Sequence, residues 1–347
     1  MPPTADRPLA GVRVLDLSRL LPGPFATLCL QGLGAEVLKV EDPAGGDYLR
    51  HTPPFVVRDG VEVGAWFWAL NRGKRSVALD LRGLDGRERL LGLCAEADVL
   101  VESFRPGVMA RLGLAPAELC ARFPRLVVAS LTGWGQTGPM AALPGHDLGF
   151  CALAGLFADH PVAVPRMQWG DLAAGGLAAA LRVAAALAGV ARGGPGGWLD
   201  VAMLDGLVGL QQAQFALHAA GAPPDTILTG GLPQYGLYRC RDGWVSVGAL
   251  EPAFLGALEA GAGTLDRGAL ADWFSRRTRH EAAEVLAQAC VVPVLDLHEV
   301  LGDPQIRARE LFRGGLPNPP TGPVEGPPPR LGQHDAEPFR PRASGNS

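Results

Sequence analysis

The sequence predicts an α/β protein, with a doubly wound parallel sheet in a large domain and a smaller α+β domain after it. Two observations support this prediction. Up to Leu131, short apolar runs alternate with helical patterns, as in parallel sheets covered by helices on both faces. Beyond residue 228 a hairpin signal precedes a mostly helical stretch. The 347 residues, 48% hydrophobic and 19% charged, suffice for both domains.

The large domain is predicted to span residues 1–192. Its strands are buried β-type runs at 12–17, 35–40, 76–81, 98–102 and 126–131. Helical patterns fall at 25–33, after the break Pro22-Gly23-Pro24, at 84–96 and at 171–192. The last helix ends at a glycine-rich run starting at Gly193.

Residues 193–227 are predicted to form a linker, with a helix, or a strand leading into one, at 199–217. The small domain is predicted at 228–312. It begins with a hairpin at 237–250 around Asp242-Gly243, a strong turn signal. Helical patterns follow over 252–311, interrupted by a strand-like run at 291–295. The remainder, 313–347, is rich in Pro and Gly, and we expect it to return across the large domain.

Composition excludes several classes of function. A formal net charge of −4 provides no basic surface for nucleic acid. The six cysteines form no C-x-x-C pair and have no metal-ligand spacing, so reduced thiols in the cytoplasm and no metal site are expected. The amino-terminal residues show no export signal. The apolar stretch 172–191 is mostly alanine and contains Arg182, which predicts a buried helix and no membrane contact.

A G-x-G-x-x-G motif occurs at Gly133, Gly135 and Gly138, after a predicted strand. A dinucleotide fingerprint would continue into a helix and be followed about 20 residues later by an acidic residue. Here Pro139 follows directly, and no such carboxylate is present. The motif is therefore interpreted as a loop, and NAD binding is rejected.

Three further positions carry reactive side chains whose roles the residues alone leave open. His146, before a helix start, is either a neutral base or a loop residue preceding an Asp147 cap. Asp171, at the start of the long helix, is either a cap or a carboxylate in apolar surroundings. Glu251 ends an apolar strand and is either functional or an exposed terminus. The cations of 71–76 (Asn-Arg-Gly-Lys-Arg-Ser) form either a phosphate cradle or a solvated loop.

Taken together, these segments resemble the α-methylacyl-CoA racemases and class III CoA-transferases of the CaiB/BaiF family. The resemblance runs from about residue 9 to 312. It is carried by the runs at 9–16, 34–41, 71–76, 101–107 and 131–139. The runs 145–147, 231–235 and 247–252 are closer to the racemase branch than to the transferases.

The resemblance implies an interlocked homodimer acting on an acyl-CoA. On the racemase reading, His146 and Asp171 exchange a proton with the α-carbon from opposite faces. The N–H near Asp147 holds the enolate oxygen, and Glu251 orients the histidine from the same or the partner subunit. On the transferase reading, Asp171 carries the acyl group as an anhydride. A non-catalytic acyl-CoA-binding relative is the third possibility.

The resemblance also implies coenzyme A contacts. No cofactor is bound permanently, and CoA enters as part of the thioester substrate. Many relatives carry an arginine where this chain has Asp42, so Arg50 or Arg72 is expected to compensate, or affinity to be weaker. Residues 157–169 are shorter than the usual racemase segment, which points to an unusual acyl group. The positions matching CoA contacts are Arg72, Lys74, Arg75, Phe104 and Arg111.

Overall fold

A computed structural model describes residues 7–158, 163–223 and 227–341. Parts of the predicted linker, of the shortened 157–169 segment and of the chain's last residues lie outside this description. The chain divides into two compact units. The large unit comprises Met1–Gln211 and Leu311–Ser347, and the small unit comprises Gln212–Glu310.

The large unit is built on a six-stranded sheet whose neighbours are all parallel, in the order β5-β2-β1-β6-β7-β8. A separate antiparallel hairpin, β3-β4, lies between two of these strands in sequence. The strands are β1 Arg13–Asp16, β2 Glu36–Glu41, β3 Phe55–Arg58, β4 Val61–Gly64, β5 Arg75–Ala78, β6 Val99–Glu102, β7 Val127–Thr132 and β8 Gly197–Ala202.

Helices cover both faces of this sheet. One core contains Leu15, Leu100 and Val128, packed with α3; the other contains Val14, Val99 and residues of α7. The helices are α1 Pro22–Gly32, α2 Ala65–Asn71, α3 Leu84–Glu96, α4 Val108–Arg111, α5 Pro116–Arg122, α6 Asp147–Leu153, α7 Ala178–Ala191 and α8 Met203–Gly209; a 3-10 turn occupies Tyr48–His51 and a π-helix Trp169–Leu177.

These observations confirm the predicted doubly wound parallel sheet. Two local differences have physical causes. Helix α1 begins at Pro22, because proline fits the first helical turn, where its missing N–H has no intrahelical partner. The predicted linker contains β8 and α8, so the large unit extends to Gln211, beyond the predicted boundary at 192.

The strand order places a topological switch point at the carboxyl ends of β1 and β6. The chain passes from β1 to β2 and β5 on one side, and β6, β7 and β8 lie on the other. Because connections leave these two neighbouring ends in opposite directions, a crevice opens between them, which is where open α/β sheets bind ligands. The loops 17–20 and 103–105 form its walls.

The small unit contains an antiparallel sheet in the order β11-β10-β9. The predicted turn at Asp242-Gly243 joins β9 to β10, as expected. Its apolar core includes Tyr238, Val245 and Phe274. The elements are α9 Gln212–Ala219, β9 Tyr235–Cys240, β10 Gly243–Gly248, α10 Pro252–Ala262, α11 Arg267–Ser275, α12 Arg279–Val285, β11 Val291–Pro293, α13 Leu297–Gly302 and α14 Pro304–Ala308, with 3-10 turns at Ile227–Thr229 and Ala287–Ala289.

The carboxyl-terminal segment belongs to the large unit. After a short hairpin of β12 Phe312–Arg313 and β13 Leu316–Pro317, it runs without regular structure along β5. The His334 N–H donates to the Ser76 carbonyl at 2.9 Å, and the Ala78 N–H donates to Asp335 at 2.9 Å. These bonds occupy the outer edge of the sheet.

Within the described residues, one helical stretch, Trp169–Ala191, is long and apolar enough to cross a membrane by length and composition, with a mean hydropathy of 1.7. Its residues Ala180, Val183 and Val190 are buried in the core against the sheet. Apolar residues of this helix therefore form part of the core of the large unit.

A buried network of charges lies beneath the carboxyl end of β1. The Lys74 ammonium lies 3.0 Å from an Asp16 carboxylate oxygen, and Lys39 lies 3.1 Å from Asp47; all four side chains have no exposed area. Burial opposes ionisation of Asp16, but the ammonium groups of Lys39 and Lys74 outweigh it and lower its pKa. Thr27 also donates to Asp16, at 2.7 Å, and so ties α1 to β1.

This network generates a stability prediction. Lys74→Met is expected to lower the free energy of unfolding by about 3–5 kcal/mol, because it leaves the buried Asp16 short of a counter-ion. Urea unfolding monitored by circular dichroism measures the change. The control is Arg241→Ala, which breaks an exposed pair with Glu281 and is expected to cost less than about 1 kcal/mol. Equal losses in the two variants would contradict the stabilising role of the network.

Candidate active site

Two adjoining clefts open at the switch point. The His146 cleft, of about 260 Å³, is lined by His146, Asp171 and the loops after β1, β6 and β7. The Asp42 cleft, of about 250 Å³, lies at the ends of β1, β2 and β5. Arg19 and Phe104 line both clefts. A long ligand could therefore occupy the two clefts together, passing Phe104.

His146 occupies the N-cap position of α6 in an extended conformation. Its carbonyl accepts the Gly149 N–H at 2.8 Å, as expected for the first turn of a helix. The side chain makes no capping hydrogen bond and lies in the cleft wall, where the residue is exposed. The imidazole is therefore accessible from the cleft.

Asp171 lies in the first turn of the π-helix that leads into α7. The long helix predicted at 171–192 is thus present, but its first part has the wider π geometry, which occurs frequently at functional sites. Burial and, to a smaller extent, the nearby charge of Asp147 raise the pKa of the Asp171 carboxyl to about 7. At neutral pH this carboxyl is present in both protonated and ionised forms.

Asp147 connects the two elements that carry these groups. Its Oδ1 atom accepts the Asp171 N–H at 2.9 Å, and its Oδ2 atom lies 3.7 Å from the Cys151 sulfur. One carboxylate at the start of α6 thereby binds the start of the π-helix. Asp147 thus links the helix start next to His146 to the helix start that carries Asp171.

Glycines bring the π-helix close to its neighbours. A Cβ at Gly176 would lie 2.8 Å from both the Phe25 ring and the Pro22 carbonyl of α1. A Cβ at Gly175 would lie 2.7 Å from Met203, at the start of α8. Since real Cβ atoms do not approach this closely, larger residues would push the π-helix, and Asp171 with it, away from its neighbours.

Three of the predicted CoA contacts are held by other parts of the fold, and their role in CoA binding stays a prediction. The Lys74 ammonium donates to Asp16, Thr27, Asn71 and the Pro24 carbonyl, which uses its full donor capacity inside the core. Lys74 is therefore buried in the core, whereas the motif suggested an exposed cation.

The two arginines of the same motif also serve the fold. Arg72 is buried and donates to the carbonyls of Ala69 and Pro317. Arg75 donates to the carbonyls of Glu337 and, at 2.7 Å, Pro338. Both guanidinium groups therefore anchor the carboxyl-terminal segment.

The other two predicted CoA contacts lie near the clefts. Phe104 is shared by both clefts, as a residue stacking on a ligand ring would be. Arg111 is exposed at the end of α4, and its neighbours Val108 and Leu112 line the Asp42 cleft. Neither position conflicts with ligand binding.

The structure identifies two cations that the sequence reasoning missed. Arg19 lies between the clefts, and its guanidinium lies 5.7 Å from the centre of the Phe104 ring. Arg82, with 70% of its side chain exposed, bridges Asp80 at 2.8 Å and Asp42 at 3.8 Å on the cleft rim. Arg19 follows the carboxyl end of a buried strand, and this position was the available signal.

The two substitutes expected for the missing arginine at position 42 are also held by other parts of the fold. Arg50 is buried and binds Glu41 through two hydrogen bonds of 2.8 and 2.6 Å. Arg72 is held by backbone carbonyls. Arg82 is the exposed cation beside Asp42, and it is the better candidate for compensating at this rim.

Two other predicted features lie as follows. Glu251 is the exposed N-cap residue of α10 in the small unit, and its contact with the histidine stays a prediction. The Gly133, Gly135 and Gly138 motif forms a loop with no helix before α6, which confirms the loop interpretation.

Comparisons with known proteins agree with this architecture. A family model described as CoA-transferase family III matches residues 9–342. The α-methylacyl-CoA racemase of Mus musculus is 34% identical over 350 residues, covering 91% of this chain and 86% of the relative. The acetyl-CoA:oxalate CoA-transferase of Acetobacter aceti is 40% identical over 227 residues, covering 63% and 57%. A CaiB/BaiF family protein from Brucella suis superposes with a TM-score of 0.81 at 27% identity, covering 96% of this chain and 98% of that structure.

The contact between the two aspartates yields a prediction. Asp147→Asn should lower the pKa of Asp171 from about 7, because it removes a neighbouring negative charge; burial, the larger cause, keeps the pKa above the ordinary value of 3.8. Carbon-13 NMR of the aspartate carboxyls follows the titration. Asp205→Asn, which neutralises an exposed carboxyl on α8, is the control. An unchanged Asp171 titration in Asp147→Asn would refute the proposed coupling.

Proposed function

The chain belongs to CoA-transferase family III, and we propose that it inverts the α-carbon of a 2-methylacyl-CoA thioester by proton transfer. The observation that carries the proposal is that His146 and Asp171 line one cleft, with the Asp171 pKa raised to about 7. The 34% identity to a racemase over most of both chains supports it.

The reaction needs one base and one acid on opposite faces of a carbon. The thioester carbonyl acidifies the α-hydrogen, and neutral His146 removes it to leave an enolate. Protonated Asp171 then delivers a different proton to the other face, so the configuration inverts. In this direction His146 gains a proton and Asp171 loses one. In the reverse direction Asp171 is the base and protonated His146 is the acid. A carboxyl titrating near neutrality suits both roles.

The N–H of Asp147 is proposed to donate a hydrogen bond to the enolate oxygen. As the first residue of α6, Asp147 has an N–H that no carbonyl within the helix accepts. A donor pointing at the developing charge lowers the barrier to enolate formation. Glu251 is proposed to orient His146, within an interlocked homodimer of the kind that the resemblance implies.

CoA is proposed to enter as part of the substrate, without a permanently bound cofactor. The acyl group would lie in the His146 cleft, and the CoA portion would extend past Phe104 into the Asp42 cleft. Arg19, between the two clefts, is the cation best placed to meet a phosphate. A cytoplasmic location fits these assignments.

CoA transfer to a free carboxylate is the second candidate function. The similarity to the Acetobacter aceti transferase favours it, since the identity there is 40% over 227 residues. In that reaction Asp171 would attack the thioester carbonyl, release the CoA thiolate and become an acyl anhydride. A nucleophilic carboxylate must be ionised, and a pKa near 7 lowers its ionised fraction, so the raised pKa of Asp171 supports proton transfer better.

A solvent-exchange experiment separates the two reactions. With a 2-methylacyl-CoA in D2O and no carboxylate acceptor, the protein is expected to incorporate deuterium at the α-carbon. For the enantiomer whose α-hydrogen faces His146, His146→Ala should slow this exchange by about 10²–10⁴-fold, since the general base for that enantiomer is lost. The control is His298→Ala, which alters an exposed histidine of α13.

The opposite outcome has a definite form. No deuterium incorporation, together with acceptor-dependent thioester turnover that survives in His146→Ala and disappears in Asp171→Asn, would replace the racemase assignment with CoA transfer.

The pH dependence provides an independent prediction. Each active form of the His146–Asp171 dyad holds one transferable proton. It lies on Asp171 for one direction of the reaction and on His146 for the other. Profiles of kcat/KM for the R and S substrates are therefore expected to be bell-shaped with the same two apparent pKa values. Stopped assays with each enantiomer over the pH range measure this. If the maxima of the two kcat/KM profiles lay on opposite sides of neutral pH, the proposal that the dyad shares one proton would be contradicted.

A further inference from the structure

Glu102 is a buried carboxyl that the proposed chemistry does not use. It is the last residue of β6, at the switch point, and is 3% exposed. Its Oε2 atom accepts the Phe104 N–H at 2.7 Å. The carboxyl therefore binds the peptide of the residue whose ring both clefts share.

The same carboxyl is anchored from the sheet. Ser130 lies opposite Glu102 in the pairing of β6 with β7, and its hydroxyl donates to the carboxyl. The Ser130 oxygen in turn accepts the indole N–H of Trp198, on β8, at 2.9 Å. A chain of three hydrogen bonds thus runs from β8 through β7 to the Phe104 peptide.

The loop that this chain holds forms part of both clefts. The Ser103 hydroxyl oxygen accepts the Arg19 N–H at 3.2 Å, which joins the loop to the residues after β1. Phe104 and Arg19 line both clefts. A shift of the Phe104 peptide would therefore move the wall between the acyl and CoA portions of a bound thioester.

The charges around Glu102 leave it without a close counter-ion. Within the described part of the chain, no ion pair to its carboxyl is found. Arg105 and Gln136 line the small cavity beside it, of about 200 Å³, and Asp200 on β8 accepts the Gln136 N–H at 3.0 Å. Burial raises the pKa of Glu102 to about 7, although the bonds from Ser130 and Phe104 oppose this.

We propose that Glu102 is a positioning residue: its carboxylate holds the Phe104 peptide, and with it the aromatic wall between the clefts, where a CoA thioester needs it. The inference rests on the proposed function, because it assumes that a thioester spans the two clefts. Glu102 itself touches no reacting atom.

The bond to Phe104 depends on the ionisation of Glu102. The carboxylate accepts from both Phe104 and Ser130, and such charge-assisted bonds are about twice as strong as neutral ones. The protonated group must donate one proton, so its hold on the loop is weaker. The KM for the thioester is therefore expected to fall as pH rises through about 7, since ionisation tightens the loop.

The test compares Glu102→Gln with Glu118→Gln, which neutralises an exposed carboxyl on α5. At about pH 8, Glu102→Gln is expected to raise KM about tenfold, the equivalent of about 1.4 kcal/mol, with kcat within about twofold. Its KM should also lose the pH dependence near 7, whereas kcat should keep the pH dependence that it has in the unchanged protein. A purely structural role would not remove that dependence selectively.

Calorimetric titration with CoA, before any chemistry, separates the possible failures. If the unchanged protein binds no CoA and turns over no thioester, the proposed function and this inference both fall. If the unchanged protein is active and Glu102→Gln keeps its KM and pH profile, the inference alone is overturned. Ser130→Ala, which removes one donor to the same carboxyl, repeats the test should Glu102→Gln fold poorly, and it should weaken CoA binding in the same direction.

Discussion

The buried carboxylate of Asp16 is the constraint on which the arrangement of the site depends. It ends β1 without contact with water, so Lys74, Lys39 and Thr27 must converge on it. Lys74 also binds the Pro24 carbonyl, which fixes the start of α1. That start packs against the π-helix carrying Asp171, and Lys39 of the same network lines the Asp42 cleft. The start of α1, and through it the packing of the π-helix that carries Asp171, is thus tied to an ion pair in the core.

Much of the fold was predictable because its strands are buried on both faces. Runs such as 126–131 are almost wholly apolar, and patterns of this kind identified five of the six parallel strands. The sixth, β8, follows a glycine-rich break and is half-exposed, so its sequence resembles a linker. The helix at 171–192 was predicted from its apolarity, but its π geometry and the close packing at Gly175 and Gly176 depend on distant segments, which local sequence does not report.

The sequence singled out His146 and Asp171, which lie in one cleft, but it did not single out the cations Arg19 and Arg82 beside the clefts. His146 and Asp171 are marked by their helix starts and by the family resemblance, and they line one cleft. The run around Lys74 has the composition of a phosphate cradle, yet its cations serve the fold. Their partners lie near β1 or some 250 residues further along the chain, as with Arg72 and Pro317. Only tertiary packing distinguishes a cation that serves the core from one that serves a ligand.

The segment along β5 has a consequence for how the protein is made. Residues near His334 and Asp335 supply the hydrogen bonds that complete the outer edge of the sheet. These residues are synthesised only after the small unit. The edge strand β5 of the nascent large unit is therefore unpaired for most of the synthesis. During that interval the chain is open to edge-to-edge association with other nascent chains, and folding helpers that shield strands would be needed most then.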